Sequence, residues 1–441
     1  MDKAGSDSAE SNAQTPSGAS AASSSADSGR STATSQGFYP PSDPKVLRRS
    51  LILSGGASAL GAIFFTVVQG TVFNFFLEDL SLKDRLPYFM SLWCIGGMGT
   101  LVGSWIQERW NCRKGLFLWC IGGSRVIWLA IGLIPWLYPD LSNKDAAFKW
   151  LSILTFAFYF IHALGATAWL SWMADLVPSH LQSSYWSLRQ VGCAGAGVFA
   201  RLGFGYLLEP YHNAHDMTGY ALIFCIATVV GIVDSMLFLW VEHRRPQLRA
   251  TRINIFSEFV RRLQGAPFRR LCFVYLLWSV SNSIMGPTCY YFMRDSIGMG
   301  VAEISVAEAL SLTSFTVFSV LWAKYSDFHG LRGPLVVCIL IQALCPLFYF
   351  FAGRHDDHFA ALAMAIGSIG FCGINLFMWP LVIRYTKGKG AGREIGMAAF
   401  NVVLALANFA ALNLTPVLYG ALGRLLNTES QSTLVFLSVM V

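Results

Sequence analysis

Long apolar stretches, separated by short polar segments, run along most of this 441-residue chain. Each stretch is close to or above the roughly 17–25 residues that a helix needs to cross the hydrocarbon core of a bilayer. The pattern therefore predicts eleven membrane-spanning helices, at about 51–77, 86–107, 115–138, 149–174, 190–209, 218–241, 270–293, 303–323, 334–353, 358–384 and 395–423.

The two ends of the chain break this pattern. Residues 1–45 are rich in Ser, Ala and Gly and contain almost no bulky apolar side chain, which predicts a disordered cytoplasmic tail. A twelfth apolar stretch begins near Thr433 and reaches Val441 after nine residues. Nine helical residues rise only about 14 Å, so we expect an incomplete last helix.

Composition and charge agree with a membrane protein rather than a soluble enzyme. Only 13% of the residues are charged and 54% are hydrophobic. If the amino terminus is cytoplasmic, 21 of the 32 Lys and Arg residues fall in inner loops and 7 in outer loops. This bias predicts an integral, multi-pass protein of the plasma (inner) membrane with a cytoplasmic amino terminus. The cysteines form no CxxC pair, and nothing indicates a metal, a cofactor or nucleic-acid binding.

Two similar loops divide the chain into halves. The segment SWIQERWNCRK follows the second stretch, and AKYSDFHGLRG follows the eighth, 219 residues later. Both place a small residue, an acid, a Gly or Asn, and an Arg at the same spacing, as expected for a tight turn between helices. The pattern predicts an all-α protein of two six-helix bundles, 46–241 and 270–441, joined by a basic cytoplasmic linker at 242–269.

These loops resemble the G-x-x-x-D-R-x-G-x-R-K signature of the major facilitator superfamily. A second stretch, WMADLVPSHLQSSYWSLRQ, is similar to a D-L-V-P pattern in poorly characterised prokaryotic members. The resemblance implies two bundles that rock about a central cavity. It also implies a cytoplasmic gate that latches the inner helix ends, formed by Glu108, Arg109, Arg113, Lys114, Asp175, Asp327 and Arg332. Positive-inside anchoring is the alternative explanation for the basic members of this set.

Ionisable residues inside the predicted spans are candidate functional groups because burying charge in a bilayer is costly. By the resemblance, the substrate cavity would contain Arg201, His162, Asn282 and Asn375, and the proton-coupling candidates are His162, Glu308 and Asp234. Arg201 needs a counter-charge, so a carboxylate or phosphate on the solute would fit if the protein supplies none. Three structural alternatives stay open: Arg125 pairs with Asp234 within the bundle, His162 is a neutral bridge between helices, and the asparagines form interhelical hydrogen bonds.

The sequence thus favours a non-enzymatic secondary transporter that moves a small solute by alternating access. The solute is an anion if it supplies the counter-charge of Arg201, and protons are the coupling ion if one of the titratable candidates carries them. The expected partners of the protein are that solute and the lipid bilayer, and we expect a monomer. A non-transporting sensor or scaffold with the same fold is the alternative, since the Ser-rich tail could serve either role.

Overall fold

The structure, a computed structural model, describes residues 43–110, 112–138, 144–178, 181–243, 264–351, 357–385 and 391–426. Residues 1–42 of the predicted tail, most of the basic linker and the incomplete twelfth stretch lie outside these residues. Within them the chain forms α-helices and short 3₁₀ or π segments, with no strand. The α-helices are α1 Pro44–Val68, α2 Thr71–Asp79, α3 Leu86–Gly96, α4 Gly99–Trp110, α5 Arg113–Leu137, α6 Lys144–Leu176, α7 Gln182–Asn213, α8 Thr218–Leu237, α9 Ala266–Tyr291, α10 Val301–His329, α11 Arg332–Phe351, α12 Asp357–Tyr385 and α13 Ala391–Leu426.

Every predicted apolar stretch is helical, which confirms the all-α membrane fold. Ten described spans are long and apolar enough to cross a membrane. The remaining stretch forms α9, which is 26 residues long but less apolar because it contains Ser279 and Asn282 near its middle. We name the membrane face where α1 begins the near face and the face where α2 ends the far face.

Glycines interrupt the first two predicted spans. The first divides into α1 and α2 at Gly70, whose extended backbone (φ −118°, ψ −164°) precedes α2. A Cβ atom at position 70 would collide with the carbonyl oxygen of Thr66, so only glycine fits this break. The second predicted span divides into α3 and α4 around Gly97. Gln69-Gly70-Thr71 and Gly96-Gly97 mark the two places in the sequence, but both stretches are apolar enough overall to be predicted as single spans.

The two halves, α1–α8 and α9–α13, contact each other along two helix pairs. Helix α7 packs along α10, and α3 packs along α13. If the second half repeats the first, α3 corresponds to α10 and α7 to α13, so the two interfaces are equivalent. The largest buried cluster draws residues from both halves near the far face, including Phe75, Phe76, Tyr290, Met293 and Ile304.

Candidate transport site and its gates

A charged pair joins the two halves inside the membrane-spanning segments. Arg201 lies in α7 and Glu308 lies in α10, and the Nε atom of Arg201 donates to Oε2 of Glu308 at 3.1 Å. The two side chains are 23% and 17% exposed, so both are largely shielded. The counter-charge that Arg201 requires is therefore supplied by the protein in this state.

A small cavity adjoins the pair. It has about 10 Å³ of free space, room for about one water molecule, and is lined by Thr66, Thr71, Val72, Arg201, Phe204, Ser305 and Glu308. The Oγ1 atom of Thr71 is buried and has no hydrogen-bond partner among the described residues. The break at Gly70 faces the same place, since a Cβ there would lie 3.4 Å from Oε2 of Glu308. The charged pair, the unpaired hydroxyl of Thr71 and the helix break at Gly70 therefore lie close together between the two halves.

Ion pairs hold the halves together at the far face. Arg294, just after α9, donates through Nε to the two carboxylate oxygens of Glu78 at 2.9 and 3.1 Å. Tyr290 donates to the same carboxylate at 3.2 Å. Beside them Lys83 pairs with Asp295, and Tyr291 donates to the backbone oxygen of Lys83 at 2.8 Å. We call Glu78, Lys83, Arg294 and Asp295 the far-face latch.

A second acid of α2 is held within the first half. Asp79 accepts a hydrogen bond from the hydroxyl of Tyr220 at 2.6 Å and lies 2.9 Å from Nδ1 of His212. The other ring nitrogen of His212 lies 3.2 Å from Nη2 of Arg294. The side chains of Asp79 and His212 are only 4% and 7% exposed. This histidine therefore connects an acid of one half with a cation of the other.

The expected pair of Arg125 and Asp234 is present inside the first half. Nη2 of Arg125 donates to Oδ2 of Asp234 at 3.2 Å, and the side chains are 2% and 9% exposed. The guanidinium lies 3.9 Å from the ring centroid of Phe64. Gly61 makes room for the carboxylate, because a Cβ there would lie 2.9 Å from Oδ2 of Asp234. The pair connects α5 with α8, and both of its side chains lie against α1.

The structure does not gather the other cavity candidates around Arg201. His162 packs against the rings of Phe65 and Phe158, and its Nδ1 atom is buried without a hydrogen-bond partner among the described residues. Asn282 accepts from Gln342 at 2.7 Å, which fits the interhelical alternative. Asn375 donates to a carbonyl of its own helix at 2.9 Å.

The proposed cytoplasmic gate residues lie on helix ends at the near face, and two of the described side chains, Lys114 and Arg109, contact residues of their own half. Lys114 donates to the carbonyl oxygens of Leu239 and Val241 at 2.7 and 3.3 Å, at the end of α8. Arg109 is exposed and lies 6.0 Å from the ring of Trp105, Arg113 is half-buried at the start of α5, and Arg332 is exposed at the start of α11. The side chains of Glu108, Asp175 and Asp327 lie outside the described residues. Among the described side chains, the ion pairs between the halves lie inside the membrane-spanning segments or at the far face.

Sequence reasoning missed the far-face latch and His212. Lys83 and Arg294 counted only as outer-loop bases, and Glu78, Asp79 and His212 were not singled out. The available signal was the acidic pair Glu78-Asp79, which directly follows the three bulky apolar residues at the end of the first predicted span. Its partners lie 133 to 216 residues away in the chain, a separation at which no spacing rule applies.

The helices α1–α8 and α9–α13 thus meet through an ion pair inside the spans and through the far-face latch. The sequence profile of the Major Facilitator Superfamily matches residues 58–412, and the chain belongs to this family. No curated protein sequence matches the chain.

Solved structures show the same fold. The nucleoside transporter NupG (D323A mutant) is 12% identical with a TM-score of 0.62 and alignment over 89% of this chain and 96% of that one. A D-xylose-proton symporter is 14% identical with a TM-score of 0.62, over 84% and 90% of the two chains. A POT family transporter in complex with 5-aminolevulinic acid is 14% identical with a TM-score of 0.61, over 90% and 95%. Family and fold support secondary transport in general by a multi-pass membrane protein.

Proposed function

We propose that this protein moves a small anionic solute across the plasma membrane by alternating access, with proton coupling through Glu308. Arg201 is the proposed solute-binding group. The near face is the cytoplasmic face, because that orientation places 21 of the 32 Lys and Arg residues inside. In this orientation the far-face latch is the closed outer gate.

The pair between Arg201 and Glu308 carries this proposal. Its members belong to different halves, so rocking of the halves must separate them. Separation leaves two charges in a low-dielectric region, which is costly unless each charge is compensated. A proton neutralises Glu308, and a carboxylate or phosphate of the solute neutralises Arg201. Solute and proton therefore both favour the separated state, which links their binding to the conformational change.

The other two proton-coupling candidates, Asp234 and His162, are less suited to carry the coupling proton. Asp234 is held by Arg125 within the first half, so rocking of one half against the other need not disturb this pair. His162 lies among aromatic rings of the same half. Glu308 is the acid whose partner changes when the halves move.

The test is uptake by reconstituted protein from a mixed pool of small anions, with and without an imposed proton gradient. We expect wild-type protein to accumulate at least one anion only with acid outside. Glu308→Gln should lose the dependence on the gradient, and Arg201→Ala should lose uptake. Glu303→Gln is the matched control in the same helix, because the amide oxygen can still accept from the Gly300 amide as the carboxylate does at 2.7 Å. Equal gradient dependence in Glu308→Gln and wild type would contradict proton coupling through this residue.

A further inference from the structure

Three hydroxyl groups line the cavity between the halves, and one of them differs from the other two. The hydroxyls of Thr66 and Ser305 donate to carbonyl oxygens of their own helices at 2.6 and 2.8 Å. Thr71 is only 3% exposed, and its Oγ1 atom has no hydrogen-bond partner in the described part of the chain. A buried hydroxyl without a partner is unfavourable, so the position retains a donor that a bound group can use.

The first turn of α2 adds backbone donors at the same cavity, which Thr71 and Val72 both line. The amides of Phe73 and Asn74 donate to the carbonyl oxygen of Gly70 at 3.2 and 3.4 Å. The amides of Thr71 and Val72 precede these bonds and have no partner within α2, as at the start of any helix. Such amides, together with the helix dipole, favour an anion at this end of the helix.

The carboxylate of Glu308 lies beside this helix start but leaves Thr71 unused. Its Oε2 atom accepts from Nε of Arg201 at 3.1 Å, and a Cβ on Gly70 would lie 3.4 Å from the same oxygen. It makes no hydrogen bond with the Thr71 hydroxyl. Glu308 is attached to α10, which limits its reach. A carboxylate that is free of α10 can contact Arg201 and Thr71 together.

We propose that Arg201, the Thr71 hydroxyl and the first-turn amides of α2 form one binding site for a carboxylate group of the solute. The proposal rests on the transport function proposed above and names the anionic group. Two observations favour a carboxylate over the larger phosphate: the group paired with Arg201 is a carboxylate, and the adjoining free space is about 10 Å³. All of these donors belong to the first half, so the bound solute moves with that half while Glu308 moves with the other. Thr71 makes the solute a better partner of Arg201 than Glu308 is.

The test removes the attached carboxylate and offers a free one in its place. Glu308→Ala deletes a methylene and a carboxylate, and acetate has nearly the same size and charge as the deleted group. Full-length protein in detergent micelles is titrated with sodium acetate in exchange for sodium chloride at constant pH and ionic strength, and unfolding is followed by tryptophan fluorescence. We expect acetate to raise the unfolding temperature of Glu308→Ala in a saturable manner, since a ligand of the folded state stabilises it. Inorganic phosphate should require a higher concentration for the same effect.

Three further variants assign the binding to one hydroxyl. Thr71→Val in the Glu308→Ala background keeps the side-chain shape, and loss of a hydrogen bond to a charged group should raise the acetate concentration for half-maximal stabilisation about tenfold. Thr71→Ser keeps the hydroxyl and should stay within about twofold of the parent. Thr415→Val is the matched control and should leave the titration unchanged, because that buried hydroxyl lies outside the cavity and donates to the carbonyl oxygen of Ala411 at 2.8 Å.

Folding of the variants is controlled in the same assay. Without acetate, Thr71→Val should be at least as stable as wild type, because it removes a buried hydroxyl that has no partner among the described residues. If Glu308→Ala does not fold without an added anion, the titration is made on Glu308→Gln, in which Arg201 also lacks its counter-charge.

The absence of stabilisation by acetate, equal acetate affinity with and without the Thr71 hydroxyl, tighter binding of phosphate than of acetate, or an equal loss in Thr415→Val would overturn the proposal. Failure of the transport proposal would look different, because uptake would be absent while the acetate titration still depends on Thr71.

Discussion

Removal of Asp234 should be among the most damaging single changes in the first half. Its carboxylate is the hydrogen-bonding partner of Arg125, whose side chain is 2% exposed. Asp234→Leu would leave a buried guanidinium without a counter-charge, and loss of one partner of a buried pair costs about 3–5 kcal/mol. The Nε and Nη1 atoms of Arg125 already have no hydrogen-bond partner among the described residues, so they offer no compensation.

The same geometry predicts that removal of both charges is tolerated. Arg125 donates to Asp234 only through Nη2, while its Nε and Nη1 atoms have no partner among the described residues. The cost of removing both charges from water therefore offsets much of their Coulombic attraction. Replacement of both residues, Arg125→Met with Asp234→Leu, should therefore recover most of the loss and return within about 1 kcal/mol of wild type. The aromatic contact with Phe64 is lost in the double variant, which limits the recovery.

The assay is unfolding in mixed micelles followed by tryptophan fluorescence, with the four members of a double-mutant cycle measured under one condition. Insertion into the membrane is checked separately by fractionation, since a variant that fails to insert gives no unfolding curve. Two results would refute the reasoning: wild-type stability in Asp234→Leu alone, or a double variant that is as unstable as the single one.

Three further predictions concern close helix packing. Gly61→Ala should lower the unfolding free energy by about 1–3 kcal/mol because the new Cβ meets the Asp234 carboxylate, whereas Gly55→Ala meets no atom within 4 Å and should be neutral or mildly stabilising. Gly205→Ala should separate α7 from α10 and slow transport because its Cβ collides with a serine side chain of α10, while Gly203→Ala, which meets no atom within 4 Å, should transport normally at equal surface expression. Gln342→Leu should cost about 1 kcal/mol, measured by unfolding, since it removes hydrogen bonds to two side chains of α9.

The sequence alone predicted the membrane-spanning helices, and it offered the buried ion pair of Arg125 with Asp234 as one of its structural alternatives. Apolar length defines a spanning helix because every backbone polar group must be satisfied within it, whatever the tertiary contacts. The pairing of Arg125 with Asp234 was expected because both lie in spans of one half that the family fold places outside the cavity. The break at Gly70, just after α1, was not predicted, because a pattern of polarity does not record the steric conflict between a Cβ at this position and the carbonyl oxygen of Thr66.

Contacts between the halves were beyond sequence reasoning. Arg201 and Glu308 are 107 residues apart; Arg201 was identified as a charge that needs a partner, and Glu308 only as a proton-coupling candidate. Only the packing of α7 along α10 brings them within 3.1 Å. His212 gave even less signal because it lies at a span end, where a polar residue is ordinary. Its two ring nitrogens acquire meaning only when Asp79 and Arg294 are placed on either side.

Our central claim concerns the ion pair between Arg201 and Glu308, which joins the two halves. When the halves separate, the solute replaces Glu308 as the partner of Arg201, and a proton neutralises Glu308. The most direct measurement of this claim is anion uptake into proteoliposomes from a mixed pool, read by mass spectrometry, for wild type, Arg201→Ala and Glu308→Gln. The account predicts uptake by wild type with acid outside, none by Arg201→Ala, and gradient-independent exchange by Glu308→Gln. Folded wild-type protein that takes up no solute under either gradient would contradict it and favour a sensor or scaffold with the same fold.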